Sequence, residues 1–159
     1  MLSVLGGGNT ILAGAYDAIF VGGNAAFGAS NAIYGDRSKI WVREKSHVDI
    51  YGSNHAISRG EGSNPGVVGD GDHITSGRGA NLRVSGGRNT VSGDGVSVIS
   101  GANAWTDLIG SNDQIWLGQG GGLGLYGSQD VARMGGQGEL LALGRVRRRG
   151  RRPRRQQDT

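Results

Sequence analysis

Cysteine is absent from this 159-residue chain, which removes disulfides, thiolate nucleophiles and cysteine-bearing zinc sites together. Proline occurs only at Pro65 and Pro153. With glycine keeping no three-residue period, that excludes a collagen triple helix. Aromatic residues make up 6% and charged residues 19%, both low for a conventional globular domain. No apolar run approaches the roughly 20 residues needed to cross a bilayer as a helix, so no membrane span is expected. Met1 to Leu5 is too short and too uncharged for a secretory signal.

What is abundant is glycine, with 33 residues, about three times its usual share. So much glycine costs backbone entropy in any regular element, so it serves closely spaced turns or marks disorder. Charge is divided unevenly along the chain. Eight of the 17 basic residues are the arginines at 145, 147, 148, 149, 151, 152, 154 and 155, so residues 1–144 carry a net charge of −3 and residues 145–159 a net of +7. The body is mildly acidic and the high isoelectric point belongs to the tail.

A short unit recurs from residue 6 to about residue 126: a small residue, Asn or Asp, any residue, then an aliphatic one. Copies include Gly8-Asn9-Thr10-Ile11, Ser30-Asn31-Ala32-Ile33, Gly71-Asp72-His73-Ile74, Arg88-Asn89-Thr90-Val91 and Asn112-Asp113-Gln114-Ile115. Aliphatic residues then alternate at every second position, as in Ile19/Val21, Ile40/Val42, Val48/Ile50, Leu82/Val84, Val96/Val98, Ile115/Leu117 and Leu123/Leu125. That alternation marks a strand with one buried face. Glycine or serine closes most pairs, so the strands are short and suited to stacking on copies of themselves. Helical periodicity is missing, and frequent glycine would cost a helix roughly 1 kcal/mol at each occurrence.

The predicted fold is therefore all-β: a parallel β-solenoid, a β-roll or β-helix built from strand-turn units of about eight residues. Its inward aliphatic residues, among them Ile19, Ile40, Val48 and Ile115, should share one interior column. Two units per coil give about 16 residues per turn and a rod of about 40 Å, while three units give a triangular prism, and the spacing allows both. Asn and Asp before each strand suit turns, because they tolerate left-handed backbone and hydrogen-bond locally; asparagines in register would form ladders. Residues 59–66 break the rhythm and read as a loop projecting from one corner. The expected divisions are a solenoid over 1–130, a C-terminal cap over 131–144 and a disordered arginine-rich tail over 145–159.

At Gly69-Asp70-Gly71-Asp72-His73-Ile74 and Asn112-Asp113-Gln114-Ile115-Trp116-Leu117-Gly118 the chain resembles the hemolysin-type calcium-binding repeats of bacterial repeats-in-toxin proteins. The resemblance implies calcium as cofactor, held by the turn carbonyls and Asp carboxylates of adjacent coils, the carboxylates here being Asp17, Asp70, Asp72, Asp107 and Asp113. The chain departs from that pattern in its eight-residue unit, its frequent Asn in place of Asp and its lost double glycines. By the same resemblance the chain is a structural or adhesive repeat segment of a secreted or cell-surface bacterial protein, with further repeats in a longer chain.

His47, His55 and His73 occupy slots filled elsewhere by Thr, Ala or Gln, which makes them exposed strand positions rather than general bases, so no enzyme is expected. Phe20, Trp41 and Trp116 lie between the members of inward aliphatic pairs and so point outward, and Phe27, Trp41 and Trp116 are expected to form a ligand surface for glycan or protein. Two-strand coils would align Leu12, Phe27 and Trp41 on one face. A carbohydrate-binding or carbohydrate-active solenoid is the alternative reading. The arginine tail supplies another, non-specific association with nucleic acid, against which stands its lack of interleaved aromatics.

Overall fold

The computed structural model describes residues 1–22 and 30–148, the last six of them by backbone alone. Among the described residues there are sixteen strands and no helix. One row stacks β1 (Leu2–Leu5), β3 (Ala18–Gly22), β5 (Lys39–Val42), β7 (Ala56–Arg59), β9 (His73–Ser76), β11 (Asn89–Ser92), β13 (Trp105–Ser111) and the first half of β15 (Gly122–Met134). The other stacks β2 (Thr10–Leu12), β4 (Asn31–Tyr34), β6 (His47–Tyr51), β8 (Asn64–Val68), β10 (Asn81–Ser85), β12 (Ser97–Ser100), β14 (Gln114–Leu117) and the second half of β15. β16 (Glu139–Arg148) lies along both halves of β15. Successive strands of the chain alternate between the rows, so the protein is a flattened parallel β-solenoid of about eight turns with two strands per coil. The triangular alternative is thereby excluded.

The coil length is 17 residues over most of the rod, one more than two eight-residue units supply. Ile40, Ile57, Ile74, Val91, Leu108 and Leu125 pair in succession down the first sheet at that interval. Ile33, Ile50, Val67 and Val84 do the same in the second. The step from Ile19 to Ile40 is longer, and residues 23–29 of that coil are outside the described region. Ile19, Ile40, Val48 and Ile115 all belong to one buried cluster between the two sheets. Each fully buried aliphatic contributes roughly 1.5–3 kcal/mol, and stacking like on like places every one against its counterparts above and below.

The corners explain the glycine and asparagine content. A left-handed residue precedes each inward corner residue: Asn54 before His55, Arg88 before Asn89, Asn112 before Asp113 and Gln129 before Asp130, with φ of +57° to +62°. The inward side chain then accepts the backbone N–H of its counterpart one coil back. Asn9 N donates to Asn31 Oδ1 at 3.0 Å and Asp72 N to Asn89 Oδ1 at 2.9 Å. The amide of each Asn also donates backwards, Asn31 Nδ2 to Gly6 O and Asn89 Nδ2 to Gly69 O. An amide-to-amide ladder of the expected kind occurs at Asn9 and Asn31; the general device is side chain to backbone. A second ladder runs outside the first, through Asp36 to Ser53 and Asp94 to Ser111.

Three expectations are corrected. Residues 59–66 project no loop: Arg59 ends β7 and is buried, and Asn64 and Pro65 open β8. The Arg59 guanidinium turns inward, donating to the Ser63 and Asn81 carbonyls and to Ser76 Oγ. His55 is not exposed but buried at a corner. The strand rows do not stop at residue 130, because β15 runs to Met134 and β16 pairs with it as far as Arg148. The remainder of the arginine-rich segment, 149–159, is outside the described residues.

Gly52 shows why small residues are obligatory here. Its φ is +136°, and a Cβ would strike the Gly35 carbonyl one coil back and come within 2.9 Å of His55 Nε2. Gly79 also has a positive φ, +70°, but open space around it. We expect Gly79→Ala to lose about 1–2 kcal/mol for its backbone conformation alone. Gly52→Ala adds overpacking of roughly 1–3 kcal/mol. Urea denaturation of the two variants measures the difference, and equal losses would show that crowding between coils is not what selects glycine.

Candidate functional site

Alternation in the strands sends every second side chain outward, so each sheet presents columns of residues 17 apart. On the second sheet one column runs Asp49, Gly66, Arg83, Ile99, Trp116 and Arg133. Beside it stand His47 over Asn64 and Asn81 over Ser97. His47, Asp49, Gly66, Arg83, Ile99 and Trp116 line an open recess of about 740 Å³.

Its depth comes from Gly66. A Cβ there would lie 2.6 Å from Asp49 Oδ1, so the carboxylate leans over the missing side chain. Asp49 is held from the other side by Ser30 Oγ at 3.1 Å. At the far end Arg133 lies over the Trp116 ring, 5.5 Å from its centroid, a cation–π contact that fixes the guanidinium against the sheet. Ile99, the preceding neighbour of Trp116, is 49% exposed. The groove therefore combines a carboxylate, the Arg83 guanidinium, amides and an apolar patch, and the Arg133 guanidinium stands at its end over Trp116.

The aromatic residues do not form one surface. Trp41 belongs to the first sheet, stacked on Phe20 with ring centroids 4.4 Å apart, whereas Trp116 belongs to the second. Leu12 lies in β2, across the rod from Trp41, so the row expected for Leu12, Phe27 and Trp41 is corrected; Phe27 is outside the described residues. Tyr34 and Tyr51 form a second stack, 4.8 Å apart, on the second sheet.

The five aspartates implied as calcium ligands are dispersed. Asp17 Oδ2 accepts the Gly14 N–H of its own turn at 2.8 Å. Asp70 stands on the outer corner ladder, its Oδ1 accepting Gly87 N–H and its backbone N–H donating to Ser53 Oγ. Asp107 faces outward from the first sheet and accepts Trp105 Nε1 at 3.2 Å. Asp72 and Asp113 point inward at opposite corners, each Oδ1 accepting a backbone N–H at 2.8 Å. Calcium takes six to eight oxygens. Among the described residues no three His, Cys, Asp or Glu side chains gather where a metal ion could be held. Among the described residues these carboxylates, dispersed as they are, do not fit a calcium site.

The inward acids have a different character, which sequence spacing did not reveal. Asp72, Asp113 and Asp130 use Oδ1 as an asparagine would, but Oδ2, a carboxylate oxygen in place of the donating amide, is buried without a hydrogen-bond partner. Burial pushes the carboxyls of Asp72 and Asp113 up to about 6 and raises that of Asp130. Burial lowers the pKa of His55, whose Nδ1 accepts Ser38 N.

No family model matches the chain, and neither a curated protein nor a solved structure matches it. The chain is a solenoid repeat protein by its own geometry.

The raised carboxyls have a defined consequence. The native state holds these protons more tightly than the unfolded chain, so the acids favour folding fully below about pH 4 and that contribution is lost as the pH rises through about 6. His55 acts oppositely, its contribution being lost as the pH falls below 6.5. At the Asp113 corner the neighbouring titratable groups are Asp130 and Asp94, so no histidine opposes it there. Asp113→Asn retains the bond to Val96 N and supplies a donor where Oδ2 has none. It should stabilise the protein at pH 7 by about 1–3 kcal/mol and reduce the fall in Tm between pH 4 and pH 7. A variant that was less stable than the parent at pH 7, with the pH profile unchanged, would contradict this.

Proposed function

We propose that the chain is a structural repeat segment, a stiff spacer with an adhesive outer face, of the kind that serves a secreted or cell-surface protein. The reading rests on one observation: over most of the rod the same 17-residue step recurs with the same corner bonding, an inward side chain accepting a backbone N–H of the preceding coil. A stack of that kind resists bending because each coil is bonded to its neighbours along both sheets and at both corners. The affinity with repeats-in-toxin arrays enters as a likeness of architecture. The reading takes the corners as joined by hydrogen bonds among the chain's own groups and calls on no ion.

A carbohydrate-binding role on the second sheet is a further reading, favoured by the groove between Asp49 and Trp116. Nucleic-acid association through the arginine tail is the remaining reading, and residues 149–159 of that tail lie outside the described region.

Small-angle scattering should give a rod about 40 Å long, from about eight coils spaced roughly 4.8 Å apart. Addition of a calcium chelator should leave both the scattering profile and the Tm unchanged. Expansion of the particle or loss of β-sheet circular dichroism on chelation would overturn the ion-independent spacer.

A further inference from the structure

We propose that the groove on the second sheet binds an acidic polysaccharide, a glycan bearing carboxylate or sulfate groups, lying along the rod axis across the strands. The inference rests on the carbohydrate-binding reading above and names the class of ligand. Three features carry it, the first being direction. The groove runs from coil to coil, with Asp49, Gly66, Arg83, Ile99, Trp116 and Arg133 each one coil further on. Adjacent coils stand roughly 4.8 Å apart, a step comparable to the length of a pyranose ring, so an extended glycan presents successive sugars to successive strands.

The second feature is charge. The half of the column toward the C-terminus carries Arg83 and Arg133 as its charged groups, with Ile99 and Trp116 between them. Arg83 is exposed at the middle of β10. Arg133, exposed at the end of the groove, has its guanidinium carbon 5.5 Å from the Trp116 ring centroid, a cation–π contact. Planar guanidinium forks match carboxylate and sulfate oxygens in a bidentate manner. Ile99 and the Trp116 ring give the apolar sugar face a surface between the two charges.

The third feature is the hydroxyl-binding side. Asn64 and Asn81 line the groove and are exposed, offering both donors and acceptors to vicinal hydroxyls. Asp49, anchored by Ser30 Oγ, accepts from a hydroxyl at the end remote from Trp116. Gly66 keeps the space between them open, since any side chain there would meet the Asp49 carboxylate.

The test is affinity gel electrophoresis of the full chain through gels containing polygalacturonate, an acidic glycan, or dextran, a neutral one. The expected result is retardation by polygalacturonate and not by dextran. Arg83→Gln and Arg133→Gln should each weaken it at least about fivefold, the loss of one charge-assisted contact. Trp116→Ala should weaken it comparably, while Arg78→Gln, an exposed corner arginine outside the groove, should have no effect. Circular dichroism melts of each variant establish that the rod is intact. If all four variants bind polygalacturonate like the parent, the arginine tail is the binding element and the proposal fails. Equal retardation by dextran, lost in Trp116→Ala, would keep the carbohydrate reading and overturn its acidic specificity. Retardation by neither glycan would overturn both.

Discussion

Repetition at a nearly constant step governs this protein: over most of the rod each residue is stacked on the one 17 positions away, so any property of a position is imposed on a whole column. A corner that turns tightly places its first residue against the carbonyl of the same corner one coil back, and only glycine leaves room, as at Gly35, Gly52, Gly69 and Gly86. The next-to-last corner residue must adopt left-handed backbone, which selects glycine or residues such as Asn54 and Asn112. The last points inward and bonds the coil behind it. Composition, turn geometry and hydrogen bonding are thus three consequences of a single step length.

That arrangement places polar groups in an interior with little room for water. Where the inward residue is Asn, both ends of the amide are bonded to the preceding coil. Where it is Asp, the geometry of one oxygen is retained and the other is left buried and unbonded, so the proton is held up to about pH 6. Arg59 is the converse case, a guanidinium within the rod that donates to two backbone carbonyls and a serine hydroxyl. Burial lowers its pKa to about 10, which leaves it charged at neutral pH. Its column passes from Val42 to Arg59 to Ser76, and the guanidinium reaches forward over the small Ser76. Buried polar groups of this kind specify register more than they stabilise.

The two outer faces carry different chemistry on one scaffold. On the first sheet Phe20 and Trp41 stack on each other near the start of the rod, and hydroxyl residues follow at Ser58 and Thr75. The second sheet carries the tyrosine stack, the Gly66 notch and the arginine–tryptophan pair. Because the columns are in register, substituting one side chain for glycine, as at position 66, opens a recess one coil wide without disturbing the backbone. A solenoid in this way acquires a binding surface by local substitution on a face the interior does not constrain.

The class of fold was readable from the amino acids, because inward alternation within a strand and glycine at its end are local properties. Ile19/Val21, Ile40/Val42 and Ile115/Leu117 point inward as their spacing implied. The step length and the number of strands per coil were not readable, since they depend on which distant segment pairs with which, and a unit of eight residues differs from half of 17 by less than the slips in the repeat. For the same reason the sequence separated neither Trp41 from Trp116 nor the inward Asp72 and Asp113 from the outward Asp70 and Asp107. His47, Asp49, Gly66 and Arg83 carried only the 17-residue interval as a signal, legible once the step was known. Residue type and alternation determined the strands; the tertiary stack alone decided which strands share a face, because that choice is made between segments far apart in the chain.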